Sequence, residues 1–115
     1  MDFQPSPADV VELFDRVAPR GPDVTRRKMF GFPAAFVNGN LCCGTFKAQI
    51  MLRVPGDPAI DDHLAALGAR PFSPMPGRPM KGYVAVTPGP EVDDDRLRAL
   101  LEHSAQATRA LPPRR

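Results

Sequence analysis

The sequence predicts a two-layer α+β domain. One antiparallel sheet of about five strands is covered by three helices, in the order α-β-β-β-β-α-β-α. Three observations carry this. Apolar residues recur at helical spacing near both ends of the chain. Short β-type segments fill the stretch from 24 to 54. That stretch is punctuated by tight-turn signals, above all Asn38-Gly39, which suits a type I′ turn because both central residues need positive φ. Strands joined by such turns pair antiparallel, and a sheet with helices on it forms a two-layer domain. The 115 residues are the size of one domain, residues 1–115, with a core over about 6–111.

Each element has its own local reason. Ser6-Pro7-Ala8-Asp9 reads as a helix start, with Ser6 as cap, Pro7 in the first helical position and Asp9 at the positive helix end. Val10, Leu13, Phe14 and Val17 then form one apolar stripe, worth about 1.5–3 kcal/mol per side chain before entropy is counted. Pro19, Gly21 and Pro22 end that helix. Strands are expected at Val24–Phe30, Ala34–Val37, Leu41–Phe46 and Gln49–Val54, the last with Ile50, Leu52 and Val54 on one face. Asp57-Pro58 opens a second helix with Ile60, Leu64 and Leu67 inward, and Gly68 closes it. Four prolines make Arg70–Met80 an extended, stiff segment with little ladder bonding. Tyr83–Val86 is a last strand. A helix over about Asp93–Ala110 follows, with an acidic start, Arg109 near its end, and Leu97, Leu100, Leu101 and Ala105 inward. Pro112-Pro113-Arg114-Arg115 is read as a frayed tail.

Composition narrows the class of function. Hydrophobic residues are 43% and charged residues 24%, a globular balance rather than a disordered one. Fifteen residues are proline, well above the usual proportion of about 5%; helices and strands are therefore short, and a long coiled coil is excluded. The net charge of +2 is far from the concentrated field of a dedicated DNA-binding arm. The start of the chain has no basic cluster with an apolar run behind it, and no stretch approaches the ~20 apolar residues of a membrane span. The cytoplasm is the expected location.

Chemistry-bearing residues are sparse. Cys42 and Cys43 are chain neighbours, about 3.8 Å apart where a disulfide prefers roughly 4.4–6.8 Å between Cα atoms. Free thiols are expected, on opposite faces of a strand, as small buried apolar groups. His63 and His103 lie far from them in sequence, and the cysteines and histidines lack the spaced pairs of a zinc site. Asp61-Asp62-His63 reads as a solvated helix side. No phosphate loop, dinucleotide fingerprint or Gly-x-Ser-x-Gly turn is present. The expectation is a protein without catalytic residues, cofactor or metal.

Two stretches invite recognition roles. Arg26 and Lys28 share one face of the first strand, and Arg53, Arg70, Arg78 and Lys81 are candidates to join them; such a stripe attracts phosphates. The alternative, which the acidic blocks Asp61-Asp62 and Glu91–Asp95 favour, is that long basic side chains guard a sheet edge. The proline-rich segment places Phe72 and Met75 either as anchors for a partner or as plugs on the core.

The run Arg27-Lys28-Met29-Phe30-Gly31-Phe32-Pro33-Ala34-Ala35-Phe36-Val37-Asn38-Gly39-Asn40-Leu41 resembles the opening of the TfoX N-terminal domain family, found in TfoX/Sxy regulators of natural competence. A second stretch, Leu52-Arg53-Val54 and then Ala69 to Val84 through Pro71-Phe72-Ser73-Pro74-Met75-Pro76-Gly77-Arg78-Pro79-Met80-Lys81-Gly82, is similar to that family's second signature in order and spacing. The likeness covers about Thr25 to Leu111 and is closest to stand-alone, single-domain members, since no C-terminal helical domain follows the last helix. It implies a small α+β fold that often self-associates and a role in transcription regulation; it supplies no catalytic residue.

Three functional expectations follow. The first is a non-enzymatic module that contacts a transcription-related protein through Arg26, Lys28, Arg78 and Lys81, with Phe72 and Met75 as apolar anchors. The second is direct nucleic-acid binding by the same basic residues. The third is a small-molecule pocket lined by Met29, Phe30, Phe36 and Tyr83. A homodimer covering a remaining sheet face or edge is expected alongside the first.

Overall fold

The computed structural model describes residues 6–54, 62, 64–75, 77–89 and 92–114. Helix α1 spans Ala8–Val17, and strands β1 to β4 span Val24–Met29, Phe32–Val37, Asn40–Phe46 and Gln49–Arg53. A short helix α2 is described at 62 and 64–66; strands β5 (Arg70–Pro71) and β6 (Tyr83–Val86) and helix α3 (Asp94–Arg109) complete the chain. The fold is α+β, as the sequence implies. The expected Asp57-Pro58 helix start, Ile60, the Asp61 and His63 of the acidic run, and Glu91 lie outside the described residues.

The six strands form one sheet in the order β1-β2-β3-β4-β6-β5, with every neighbouring pair antiparallel. The sixth strand is the two-residue β5, which pairs Arg70 with Ala85 and Pro71 with Val84 from inside the proline-rich segment. Three two-residue turns join the first four strands: Phe30-Gly31, Asn38-Gly39 and Lys47-Ala48. The first differs from the expectation. Gly31 does not break the sheet; it completes a turn, and β2 begins at Phe32 and carries Pro33 within it.

Helices α1 and α3 cover one face of the sheet. Val10, Leu13, Phe14 and Val17 of α1 are all buried, as their spacing requires, and so are Leu97, Leu100, Leu101 and Ala105 of α3. They meet Ala35, Val37, Ile50 and Leu52 from the sheet, with Leu64 from α2. Asp93 caps α3 by accepting from the Arg96 N–H at 2.9 Å. Ser6 does not cap α1. Its hydroxyl instead donates to Thr45 Oγ1 on β3 at 2.9 Å, and Pro7 stands at the cap position.

The opposite sheet face has its own smaller core of Phe32, Phe46, Met51, Phe72 and Ala85, with Met29, Leu41, Met80 and Tyr83 packed around it. Here the proline-rich segment does the work of a helix layer: it lays Phe72 over Phe46 at 5.2 Å between ring centroids. Short backbone bonds hold it, from Met80 N–H to the Phe72 carbonyl at 2.7 Å and from Phe72 N–H to the Tyr83 carbonyl at 3.1 Å. Much of the sheet face expected to await a second copy is thus covered from within the chain.

Through residues 112–114 the C-terminal tail is docked rather than frayed, and Arg115 lies outside the described residues. The Arg114 N–H donates to the Asn38 carbonyl at 2.7 Å, and Asn40 Nδ2 donates to the Pro112 carbonyl at 2.9 Å. Gly39 makes this approach possible. At φ +83° it completes the hairpin turn, and a Cβ there would collide with the Arg114 carbonyl.

Candidate functional site

The cysteines depart most from the strand geometry expected of them. The register of β2 against β3 slips between Ala35 and Phe36, because Ala35 faces Cys43 whereas Phe36 faces Leu41. Cys42 is the extra residue of a β-bulge, and a bulge breaks the alternation that would send neighbours to opposite faces. Both thiols belong to the core beneath the helices, and both are fully buried and free. Hydrogen bonding from Cys43 draws the Cys42 thiol down to about 7 against the opposing effect of burial, and pushes Cys43 well above its usual range. Ser104 on α3 lies 3.6 Å from Cys42 Sγ, yet its hydroxyl proton is engaged at 2.6 Å by the Arg53 carbonyl. A hydroxyl has one proton, so Ser104 accepts from a Cys42 thiol and aids a thiolate only when it turns away from Arg53. These thiols are enclosed by helix and sheet, and they fit a structural role.

The basic residues divide between two elements. Arg26 and Lys28 lie on the edge strand β1, whereas Arg78 and Lys81 lie in the proline-rich cover between β5 and β6. Arg26 is also engaged. It forms a 2.7 Å ion pair with Asp15, and its guanidinium sits 4.8 Å from the Phe14 ring centroid. This is the edge-guarding arrangement foreseen as the alternative to a phosphate stripe.

Phe72 is 1% exposed, so it is a core residue and not a contact anchor. Met75 is 44% exposed and keeps that possibility. Of the four residues expected to line one pocket, Met29 and Tyr83 pack in the second core and Phe36 lies under Arg27, at 4.2 Å from the guanidinium carbon to the ring centroid. The Tyr83 hydroxyl donates to the Leu41 carbonyl at 3.1 Å, and burial raises its pKa. Phe30 stands apart, 45% exposed.

Phe30 is the residue that sequence reasoning misplaced. It occupies the tip of the β1–β2 turn with φ +55°, a left-handed backbone that costs an ordinary L-residue roughly 1–2 kcal/mol and is normally given to glycine or asparagine. Its ring lies edge-on to Phe46, 6.3 Å between centroids. Phe46 in turn touches Phe32 at 4.9 Å and Phe72 at 5.2 Å, so the exposed ring is the outer end of an aromatic row rooted in the second core. The available signal was Phe30-Gly31, a dipeptide in the place Asn38-Gly39 takes in the next turn; a bulky first residue hid it.

The family model of the TfoX N-terminal domain matches residues 15–108, most of the chain. The chain belongs to the TfoX N-terminal domain family. No curated protein and no solved structure matches it. In this TfoX N-terminal domain the match covers the Phe30 turn, the β-bulge, the proline-rich cover and nearly all of α3, while the docked tail lies beyond it. Among the described residues no helix is long and apolar enough to cross a membrane, and no group of three or more potential metal ligands gathers.

Proposed function

We propose that this TfoX N-terminal domain is a non-enzymatic module of gene regulation that acts by contacting a protein partner through the Phe30 turn. The observation that carries the reading is Phe30 itself: a large apolar ring, nearly half exposed, held in a backbone conformation where a smaller residue would be cheaper. Strain of this kind persists where the exposed group has a use, and aromatic rings are favoured anchors in protein interfaces. Family membership supports the regulatory context. The cytoplasm is its proposed location, and a homodimer through the β1 edge is a compatible assembly.

The test is a pull-down from the native host with nuclease treatment, comparing the wild type with Phe30→Ser. The proposal expects a protein retained after nuclease digestion by the wild type and lost by the variant. Equal capture by both, or association that vanishes with nuclease, contradicts it.

A further inference from the structure

Arg27, Lys28, Phe36, Gly39 and Arg114 line a cleft of about 400 Å³ between the β1–β2 ribbon and the docked tail. Among the described residues that line it, Arg27, Lys28 and Arg114 are cationic and none is acidic. Four cations outside the cleft, Arg16, Arg26, Arg98 and Arg109, each hold an aspartate. A concavity bordered by cationic residues, with no acidic one among those described, favours an anion.

We propose that this cleft binds a small phosphate-bearing ligand of phosphomonoester or mononucleotide size. Its volume lies within the roughly 300–1,000 Å³ usual for small-molecule sites. The Arg27 guanidinium is braced on the Phe36 ring, which limits its rotamers and presents a planar donor fork of the kind that grips phosphate oxygens bidentately. The far wall is fixed by the fold: backbone and side-chain hydrogen bonds tie Arg114 and Pro112 to the Asn38–Asn40 turn, and Gly39 leaves room for them. A duplex backbone needs an extended stripe of charge, whereas this is one concave site. The cleft is independent of the Phe30 contact, and either stands if the other fails.

Titration calorimetry on the full chain tests it, with inorganic pyrophosphate and adenosine monophosphate as probes. We expect saturable binding with one site per chain. Arg27→Gln and Arg114→Gln are each expected to weaken it about tenfold or more, the scale of one lost charge-assisted contact. Arg20→Gln, which removes a cation outside the cleft, leaves it unchanged. Arg114 lies on the tail outside every helix and strand, so its variant remains informative even if Arg27→Gln fails to fold. Absence of saturable binding to both probes overturns the proposal. So does equal weakening by Arg20→Gln. Tighter binding of a duplex oligonucleotide, with a salt slope of several phosphates, overturns it as well by showing an extended interface.

Discussion

Arg109, in the last turn of α3, holds Asp23 just ahead of β1 through a 2.7 Å Nε···Oδ2 contact, with each side chain about one-quarter exposed. This pair joins the end of the chain's last helix to the start of its sheet. Hydrogen bonding to Arg109 is the main cause that lowers the Asp23 pKa, outweighing burial. A carboxylate with a depressed folded pKa stabilises above its unfolded value of about 3.9, and the contribution is lost as pH falls through the folded value. Asp23→Asn is therefore expected to lower the melting temperature at neutral pH and to flatten its decline in acid. Melting curves across the acid range check this; an unchanged acid limb contradicts it.

Phe72 and Met75 lie three residues apart in the proline-rich segment, and their burial separates them. Phe72→Ala empties the centre of the second core and is expected to cost about 3–5 kcal/mol. Met75→Ala, at an exposed site, is expected to change stability by no more than about 0.5 kcal/mol. Denaturant titrations of the two variants decide the point.

Phe30→Asn removes the left-handed strain of roughly 1–2 kcal/mol and gives up a half-exposed ring contact with Phe46 worth about 0.5–1.5 kcal/mol. Burial of the covered half of the ring adds roughly 1 kcal/mol to the loss, so the opposing terms nearly cancel and the variant is expected to be about as stable as the wild type. A melting temperature several degrees lower contradicts this balance. A stable variant is also the cleanest reagent for the contact proposal, because loss of a partner cannot then be blamed on unfolding.

The bulge makes a distinct prediction for the thiols. Thiolate absorbance followed against pH is expected to show a transition near 7 that belongs to Cys42 and disappears in Cys42→Ala. Cys43→Ala removes the main group that draws that pKa down and moves the transition upward. A Cys42 transition unaltered in Cys43→Ala contradicts the pairing. Because a pKa lowered on folding stabilises most above the unfolded value, Cys42 adds stability as pH rises through 7 toward the ordinary thiol range, and that gain is absent in Cys42→Ala.

The apolar stripes of α1 and α3 were legible because helical periodicity states which side chains go inward, and Asn38-Gly39 announced its turn through backbone preference. Three features were hidden for physical reasons. Phe30-Gly31 uses a residue whose own preference argues against its conformation. The bulge at Cys42 inserts one residue into a ladder without the glycine that often marks such a kink. The tail's attachment uses the Arg114 N–H, the Asn38 and Pro112 carbonyls and the Asn40 side-chain amide, and the backbone groups among these carry no signal in the sequence. The fate of the basic residues was equally unreadable: Arg26 and Lys28 end up on the edge strand β1, whereas Arg78 and Lys81 ride on the proline-rich cover between β5 and β6.

The account centres on the Phe30 turn as the surface that meets a partner. Site-specific photocrosslinking tests this most directly, with the reactive group placed at position 30 in one sample and at Asp95, exposed at the start of α3, in another. In nuclease-treated host lysate, a discrete protein adduct is expected from position 30 and none from position 95. Adducts from position 95 with none from position 30 would place recognition on the helical layer and contradict the account.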